Sequence, residues 1–299
     1  MSSSAVIRDK TPILTAFLLP LLHAHAHAPA DPTASSPPFF LGISGPQGSG
    51  KSTLVTALAA ALRTYPHSLN VVVFSADDIY LTNADQVALR ELYPDNKLVR
   101  HRGEPGTHDI ELAKNVFRSL HDQRGTKVPS YDKSAFEGQG DRADEASWEA
   151  VDGPYDLVIF EGWCVGFRPL PDGVVEEAWN KGRTSGRGTL GRHSLEHLLF
   201  VNTKLKDYDT ITDSLNALIH IDAEDISCVY DWRTQQEHDL ISARGSGMTD
   251  DQVIEFVNGY MPAYELYIDN LRRGSFGAKG KQLRVVIGKD RNIVRIANL

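Results

Sequence analysis

Residues 45–53 read Gly45-Pro46-Gln47-Gly48-Ser49-Gly50-Lys51-Ser52-Thr53, a full match to the pattern GxxxxGK[ST] followed by a second hydroxyl residue. By composition alone such a match arises in about one chain in a hundred of this length. The flanks make chance a poor account. Phe39–Ser44 is a short apolar run that predicts a buried strand, and Lys51–Tyr65 carries Leu54, Val55, Leu58, Ala61 and Leu62 at helical spacing before Pro66 stops it. Between a strand and a helix, glycines let successive backbone N–H groups point inward around an anion. The helix adds its unpaired N-terminal donors and the positive end of its dipole. Lys51 supplies a full charge for the β- and γ-phosphates, and the Ser52 hydroxyl is the expected Mg²⁺ ligand.

The pattern continues as strand and helix in alternation. Asn70–Ser75 predicts a second buried strand, Asp109–His121 a helix, and Asp156–Phe160 a strand. Leu195–Val201 is expected as another strand and Lys204–His220 as a helix. Ile226–Tyr230 fits a strand or a helix start. Thr249–Leu271 is expected as one long helix capped by Thr249, and Gln282–Ile287 as the last strand. Pro171–His193, with its glycines and prolines, is expected to be an insertion loop. This reading gives an α/β fold, a three-layer αβα arrangement on a mostly parallel central sheet. It divides the chain into a helix and linker at 1–38 and one nucleotide-binding domain at 39–299.

The N-terminus holds an apolar run, Ile13–Leu22, after Arg8 and Lys10. It loosely resembles a secretory signal, but it is too short to span a bilayer. A helix broken at Pro20 and packed on the domain is the expectation. Its neighbours His23, His25 and His27 lack a fourth metal ligand. Ala28–Pro38 reads as a linker. Cys164 and Cys228 sit in no metal spacing and are expected as free thiols in the cytoplasm. The net charge of −8 argues against bulk attraction to nucleic acid, so the expected partner is a small molecule held by local cations.

Two carboxylates stand where the strands end. The second strand runs into Asp77-Asp78-Ile79-Tyr80, and the Asp156–Phe160 strand into Glu161-Gly162. Ligands of open α/β sheets gather at the carboxyl ends of strands. Asp77 there can accept the proton of an attacking hydroxyl or hold Mg²⁺, and Glu161 can orient the metal and its waters. Asp78 is either functional or a cap. The string Asn96-Lys97-Leu98-Val99 lacks the Asp of a guanine-reading motif, which disfavours a GTP switch.

With these residues in view, the chain resembles the P-loop kinases that include phosphoribulokinase, uridine kinase and pantothenate kinase. Within that group it resembles the D-glycerate 3-kinase family of plants and fungi. The strings that carry this are GPQGSGKST, SADDIYLT (75–82), RGEPGTHD (102–109), PSYDKSAFEGQGDR (129–142), VIFEGWCVGF (158–167), VYDWRTQQEHDL (229–240) and GMTDDQVIEFVNGYMPAYELY (247–267). The resemblance implies an ATP- and Mg²⁺-dependent phosphotransferase. It implies an acceptor site lined by Arg102, His108, Asp109, Tyr131, Asp132, Lys133 and Arg142, beside Asp78 and Tyr80. It also implies a lid carrying Arg233, which could instead pair with Glu237 one turn on. The Tyr260, Tyr264 and Tyr267 stripe is read as core. A kinase for another hydroxyl compound (a nucleoside, pantothenate or a sugar acid) and a nucleotide-gated binding protein remain rival readings.

Overall fold

The structure, a computed structural model, describes residues 9–28, 36–245, 247–274 and 276–299. In chain order the elements are α1 (Thr11–Ala26), β1 (Phe39–Ser44), α2 (Lys51–Arg63), β2 (Val71–Ser75), α3 (Asn83–Leu92) and α4 (Ile110–His121). Four short strands follow, β3 (Thr126–Val128), β4 (Tyr131–Asp132), β5 (Asp141–Arg142) and β6 (Glu149–Val151), then β7 (Leu157–Gly162). The rest comprises α5 (Asp172–Ser185), α6 (Leu195–Leu205), α7 (Asp209–Asp213), β8 (Ala217–Ala223), α8 (Cys228–Arg244), α9 (Asp250–Asn258), α10 (Met261–Arg272), β9 (Gln282–Ile287) and β10 (Ile293–Asn298).

The main sheet has six strands in the order β10-β9-β8-β1-β7-β2, parallel except for β10. Every residue of β1, β7 and β8 is buried, as strands covered by helices on both faces must be. This is the expected three-layer αβα architecture. The sheet's register decides where the chemistry sits. Ser44 lies opposite Gly162, Ile43 opposite Glu161, and Ser75 opposite Glu161, so β1, β2 and β7 end level with one another. The order reverses at β1, with β7 on one side and β8 on the other. The phosphate-type loop therefore emerges at the switch point where such sheets bind ligands.

Several expectations are corrected. Residues 195–201 are helix, not strand. Leu198, Val201, Asn202 and Leu205 form the buried face of α6, a spacing that only a helix lines up. The helix expected over 204–220 holds only to Asp213, as the end of α6, a 3-10 turn at Lys206–Tyr208 and α7, and its last part is taken by β8. At 226–230 the helical alternative holds, because α8 begins at Cys228. The long helix over 249–271 is two, since the chain turns at Gly259 and Tyr260 and Pro262 opens α10 in the first turn, where a missing N–H is harmless. Thr249 does cap α9, through a capping box with Gln252. The insertion at 171–193 is mostly the ordered helix α5. Glu265 ties its exit down by accepting from Thr189 N at 2.7 Å and Thr189 Oγ1 at 2.8 Å.

Helix α1 is continuous through Pro20 rather than broken there. Leu14 and Leu18 are fully buried against the core, each worth roughly 1.5–3 kcal/mol, which offsets the hydrogen bond that Pro20 cannot donate. Of the linker expected at 28–38, residues 29–35 lie outside those described. His25 Nε2 contacts Pro37 O at 2.9 Å and His27 Nδ1 contacts His23 O at 2.8 Å, and these rings form no metal cluster. Both cysteines are free thiols. Among the described residues no helix is long and apolar enough to cross a membrane.

Candidate active site

The loop between β1 and α2 has the conformation its glycines predict. Gly48 and Gly50 hold φ of 73° and 83°, a region that L side chains rarely adopt. A Cβ on Gly48 would also lie 2.6 Å from Trp232 Cβ, so α8 packs directly on the loop. No side chain caps the N-terminus of α2 and no acid lies in its first turn, which leaves its amide donors to an anion. Ser52 stands exposed in that turn. Ser49 Oγ is buried without a partner among the described residues.

Lys51 crosses to the end of β7 and forms an ion pair with Glu161, both side chains being nearly buried. Glu161 also accepts from Ser75 Oγ at 3.1 Å, and the same hydroxyl accepts from Asp77 N at 3.1 Å. Asp77 accepts from Tyr80 OH at 3.0 Å and is paired with Lys133 Nζ at 2.5 Å. Four elements thus converge in one chain of bonds, the phosphate-type loop, β7, the end of β2 and the β4–β5 hairpin. Burial pulls the Lys51 ammonium down to about 8. Burial alone would raise the Asp77 carboxyl, but the Lys133 ammonium more than offsets this and holds it below the usual carboxylate range. Asp78 behaves oppositely. Burial and the adjacent Asp77 charge push it up to about 6.

The acceptor-side residues divide into two groups. Tyr80 stacks on His108 with ring centroids 4.5 Å apart and meets Tyr131 edge-on at 5.4 Å. His108 is buried, accepts or donates through Nδ1 to Tyr208 OH at 2.6 Å, and is driven by burial to about 4, so it is neutral. Together with Lys133 these rings wall the space beside Asp77. The others hold the wall. Arg142 bridges Asp109 and the Tyr80 carbonyl, each at 3.0 Å, while Asp109 caps α4. Arg102 binds the carbonyls of Gly138 and Gln139 and lies over the Tyr131 ring. Asp132 is exposed and turns back on Ser134. Arg233 is engaged with Glu237 at 2.8 Å and lies over Phe256, so in this conformation it forms the one-turn pair rather than a lid over the loop.

Three residues escaped the sequence. Ser75 links the two catalytic-type acids, a role visible only from register. Arg291 donates to Gly48 O at 2.7 Å and lies over the Trp232 ring, from a turn 243 residues along the chain. Glu104 is buried with both oxygens unpartnered among the described residues. Tyr260, Tyr264 and Tyr267 are buried as expected, though Tyr264 OH also donates to Gln47 Oε1 at 3.1 Å. Among the described residues no three His, Cys, Asp or Glu side chains form a metal cage. The Ser52 hydroxyl and the Asp77 and Glu161 carboxylates are hard oxygen donors of the kind that Mg²⁺ takes alongside nucleotide oxygens.

Comparison with known proteins agrees with this geometry. Residues 40–168 match the model of the phosphoribulokinase / uridine kinase family. An uncharacterized kinase of Schizosaccharomyces pombe, mug58, is 45% identical over 80% of this chain and 84% of its own. A chloroplastic D-glycerate 3-kinase of Arabidopsis thaliana is 36% identical over 86% of this chain and 54% of its own. The solved structure of a D-glycerate 3-kinase from Cryptococcus neoformans superposes with a TM-score of 0.88 at 36% identity, covering 97% of this chain and 99% of that one. With its loop, its paired strand-end acids and these relatives, the chain belongs to the phosphoribulokinase / uridine kinase family and is an ATP-dependent phosphotransferase with a hydroxyl acceptor.

Proposed function

We propose that the chain transfers the γ-phosphoryl group of Mg·ATP to the 3-hydroxyl of D-glycerate, giving ADP and 3-phospho-D-glycerate. The observation that carries the reading is the bonded series Lys51–Glu161–Ser75–Asp77–Lys133 at the carboxyl ends of β7 and β2. It sets a phosphate cation and a hydroxyl base side by side. The choice of glycerate rests on the likeness to two proteins named D-glycerate 3-kinase. It is also supported by the cation Lys133 beside Asp77, which suits an acceptor with its own carboxylate better than a neutral nucleoside.

In this mechanism the loop amides of Gly45–Thr53 and Lys51 hold the triphosphate, with Lys51 leaving Glu161 for the β- and γ-oxygens. Ser52, Asp77 and Glu161 would hold the metal and its waters. Magnesium held there would supply positive charge to offset that of the transferring phosphate. Lys133 leaves Asp77 for the glycerate carboxylate. Asp77, freed, accepts the proton of the 3-hydroxyl as that oxygen bonds to Pγ and the bond from Pγ to the β,γ-bridging oxygen breaks. His108, Tyr80 and Tyr131 wall the acceptor and exclude water, which would otherwise compete for the phosphoryl group. Arg233 adds charge stabilisation if α8 closes and its pair with Glu237 opens. Two free thiols fit a reducing compartment such as the cytoplasm.

A coupled assay of ADP release across D-glycerate, uridine, pantothenate and sugar acids tests this. D-glycerate is expected to stimulate release at least ~10-fold above the others, an ordinary margin for substrate discrimination. Stimulation by another acceptor, or by none, overturns the assignment.

A further inference from the structure

Glu104 is 3% exposed, and neither carboxyl oxygen has a hydrogen-bond partner among the described residues. A buried acid kept only for the fold is normally fully partnered, because an unsatisfied one costs about 1–3 kcal/mol or more. The donors around it are committed elsewhere. Trp163 Nε1 donates to Gly103 O at 3.1 Å, Tyr260 OH to Arg102 O at 3.3 Å, and Thr107 Oγ1 to the Glu104 carbonyl at 2.8 Å. All three end on backbone carbonyls of residues 102–104 and leave the carboxyl without a partner among the described residues.

Both ends of that turn belong to the candidate site. Trp163 stands two residues past Glu161, and His108 stacks on Tyr80, whose hydroxyl binds Asp77. Burial pushes the Glu104 carboxyl well above its ordinary range, which favours its protonated form. A neutral carboxyl offers one donor and one acceptor side by side, the complement of a hydroxyl group. It does not repel an anionic acceptor, whose carboxylate has Lys133 to pair with.

We propose that Glu104 is the specificity-determining residue of the acceptor site and reads the non-reacting 2-hydroxyl of the acceptor. The proposal rests on the glycerate reading above. With so little surface exposed, the carboxyl meets the acceptor only as the turn gives way, and Gly103 and Gly106, both at positive φ, bound it.

The test compares kcat/KM for D-glycerate and for 3-hydroxypropionate, which lacks only the 2-hydroxyl, in wild type, Glu104→Gln and Glu104→Ala. A site built to bond a hydroxyl rejects the analogue strongly, so wild type is expected to prefer D-glycerate by at least ~10²-fold. Glu104→Ala is expected to cut that preference below ~5-fold by losing D-glycerate turnover, with 3-hydroxypropionate within ~3-fold of wild type. Glu104→Gln, which keeps a donor and an acceptor, is expected to retain most of the preference. Titration with Mg·ATP checks that each variant is folded, and Glu104→Leu replaces the alanine variant if that one is not. Equal loss on both acids, or no loss on either, overturns the role of Glu104 and leaves the glycerate reading standing. A wild type that phosphorylates neither acid overturns both.

Discussion

Asp222 and Glu104 are both acids withdrawn from water, and the protein treats them in opposite ways. Asp222, on β8 beside β9, is fully buried and receives Arg272 Nε and Nη2 at 3.0 Å each and Arg284 Nε at 2.9 Å, with Arg284 Nη2 adding a further bond. Burial alone would raise its carboxyl, but the hydrogen bonds from Arg272 and the charges around it hold it below the ordinary range. Glu104 has no such partners among the described residues and is pushed the other way. Asp222 itself is fully partnered without a ligand, although the neighbouring His220 Nδ1 is buried and unpartnered among the described residues. Around Glu104, His108 Nε2, Tyr131 OH and Arg142 Nε are also buried and unpartnered among the described residues, as are Ser44 Oγ and Ser49 Oγ beside the phosphate loop. Gln86 Oε1 and His220 Nδ1 lack partners too, so it is the gathering of such groups around the candidate site, not their mere presence, that suits a substrate completing them.

Substitutions sharpen that contrast by separating activity from stability. The largest effect is expected for Lys51→Ala. Turnover should fall at least ~10³-fold, since the cation at the transferring phosphates is removed. The denaturant midpoint should fall by less than in Asp222→Asn, because Glu161, left without its cation, is still 10% exposed and keeps its bond from Ser75. Asp222→Asn should do the reverse. It breaks a buried ion pair and should lower unfolding free energy by about 3–5 kcal/mol in chemical denaturation, while the folded fraction keeps its kcat. Gly48→Ala lies between them. The strained φ and the contact with Trp232 should weaken Mg·ATP binding ~10- to 100-fold by titration calorimetry.

The smallest effect is a slope with pH. Glu104 has a raised carboxyl in the folded state, so the folded protein binds more protons than the unfolded one above the ordinary value of 4.5. Its contribution to stability therefore falls as pH rises from there, by up to about 1.4 kcal/mol per pH unit. Glu104→Gln should remove that slope. Asp222 is depressed, so its contribution is present above 3.8 and is lost as pH falls below it. The two acids thus tilt the stability curve in opposite directions in separate windows. Parallel slopes for wild type and Glu104→Gln above 4.5 would break the comparison.

The central strands were legible because strands buried on both faces are written as unbroken apolar runs, as in Phe39–Ser44 and Leu157–Phe160. The loop was legible because its chemistry fixes residue types at fixed spacing. Asp77 and Glu161 followed from standing where strands end. What was not legible depends on distant contacts. Leu195–Val201 is a short apolar run whose helical face shows only once its burial is known. Arg233 could swing over the loop or pair with Glu237, and only the packing of α8 on Phe256 shows which it does here. The isolation of Glu104 is a property of its surroundings, where each nearby donor is turned toward a backbone carbonyl.

The proposed transfer turns on Asp77 removing the acceptor proton beside a nucleotide held independently by the loop. Asp77→Asn, assayed for acceptor-dependent turnover and for Mg·ATP affinity in the same preparation, tests it most directly. Turnover is expected to fall ~10²- to 10⁴-fold with the nucleotide Kd within about threefold of wild type. Full turnover in that variant would contradict it.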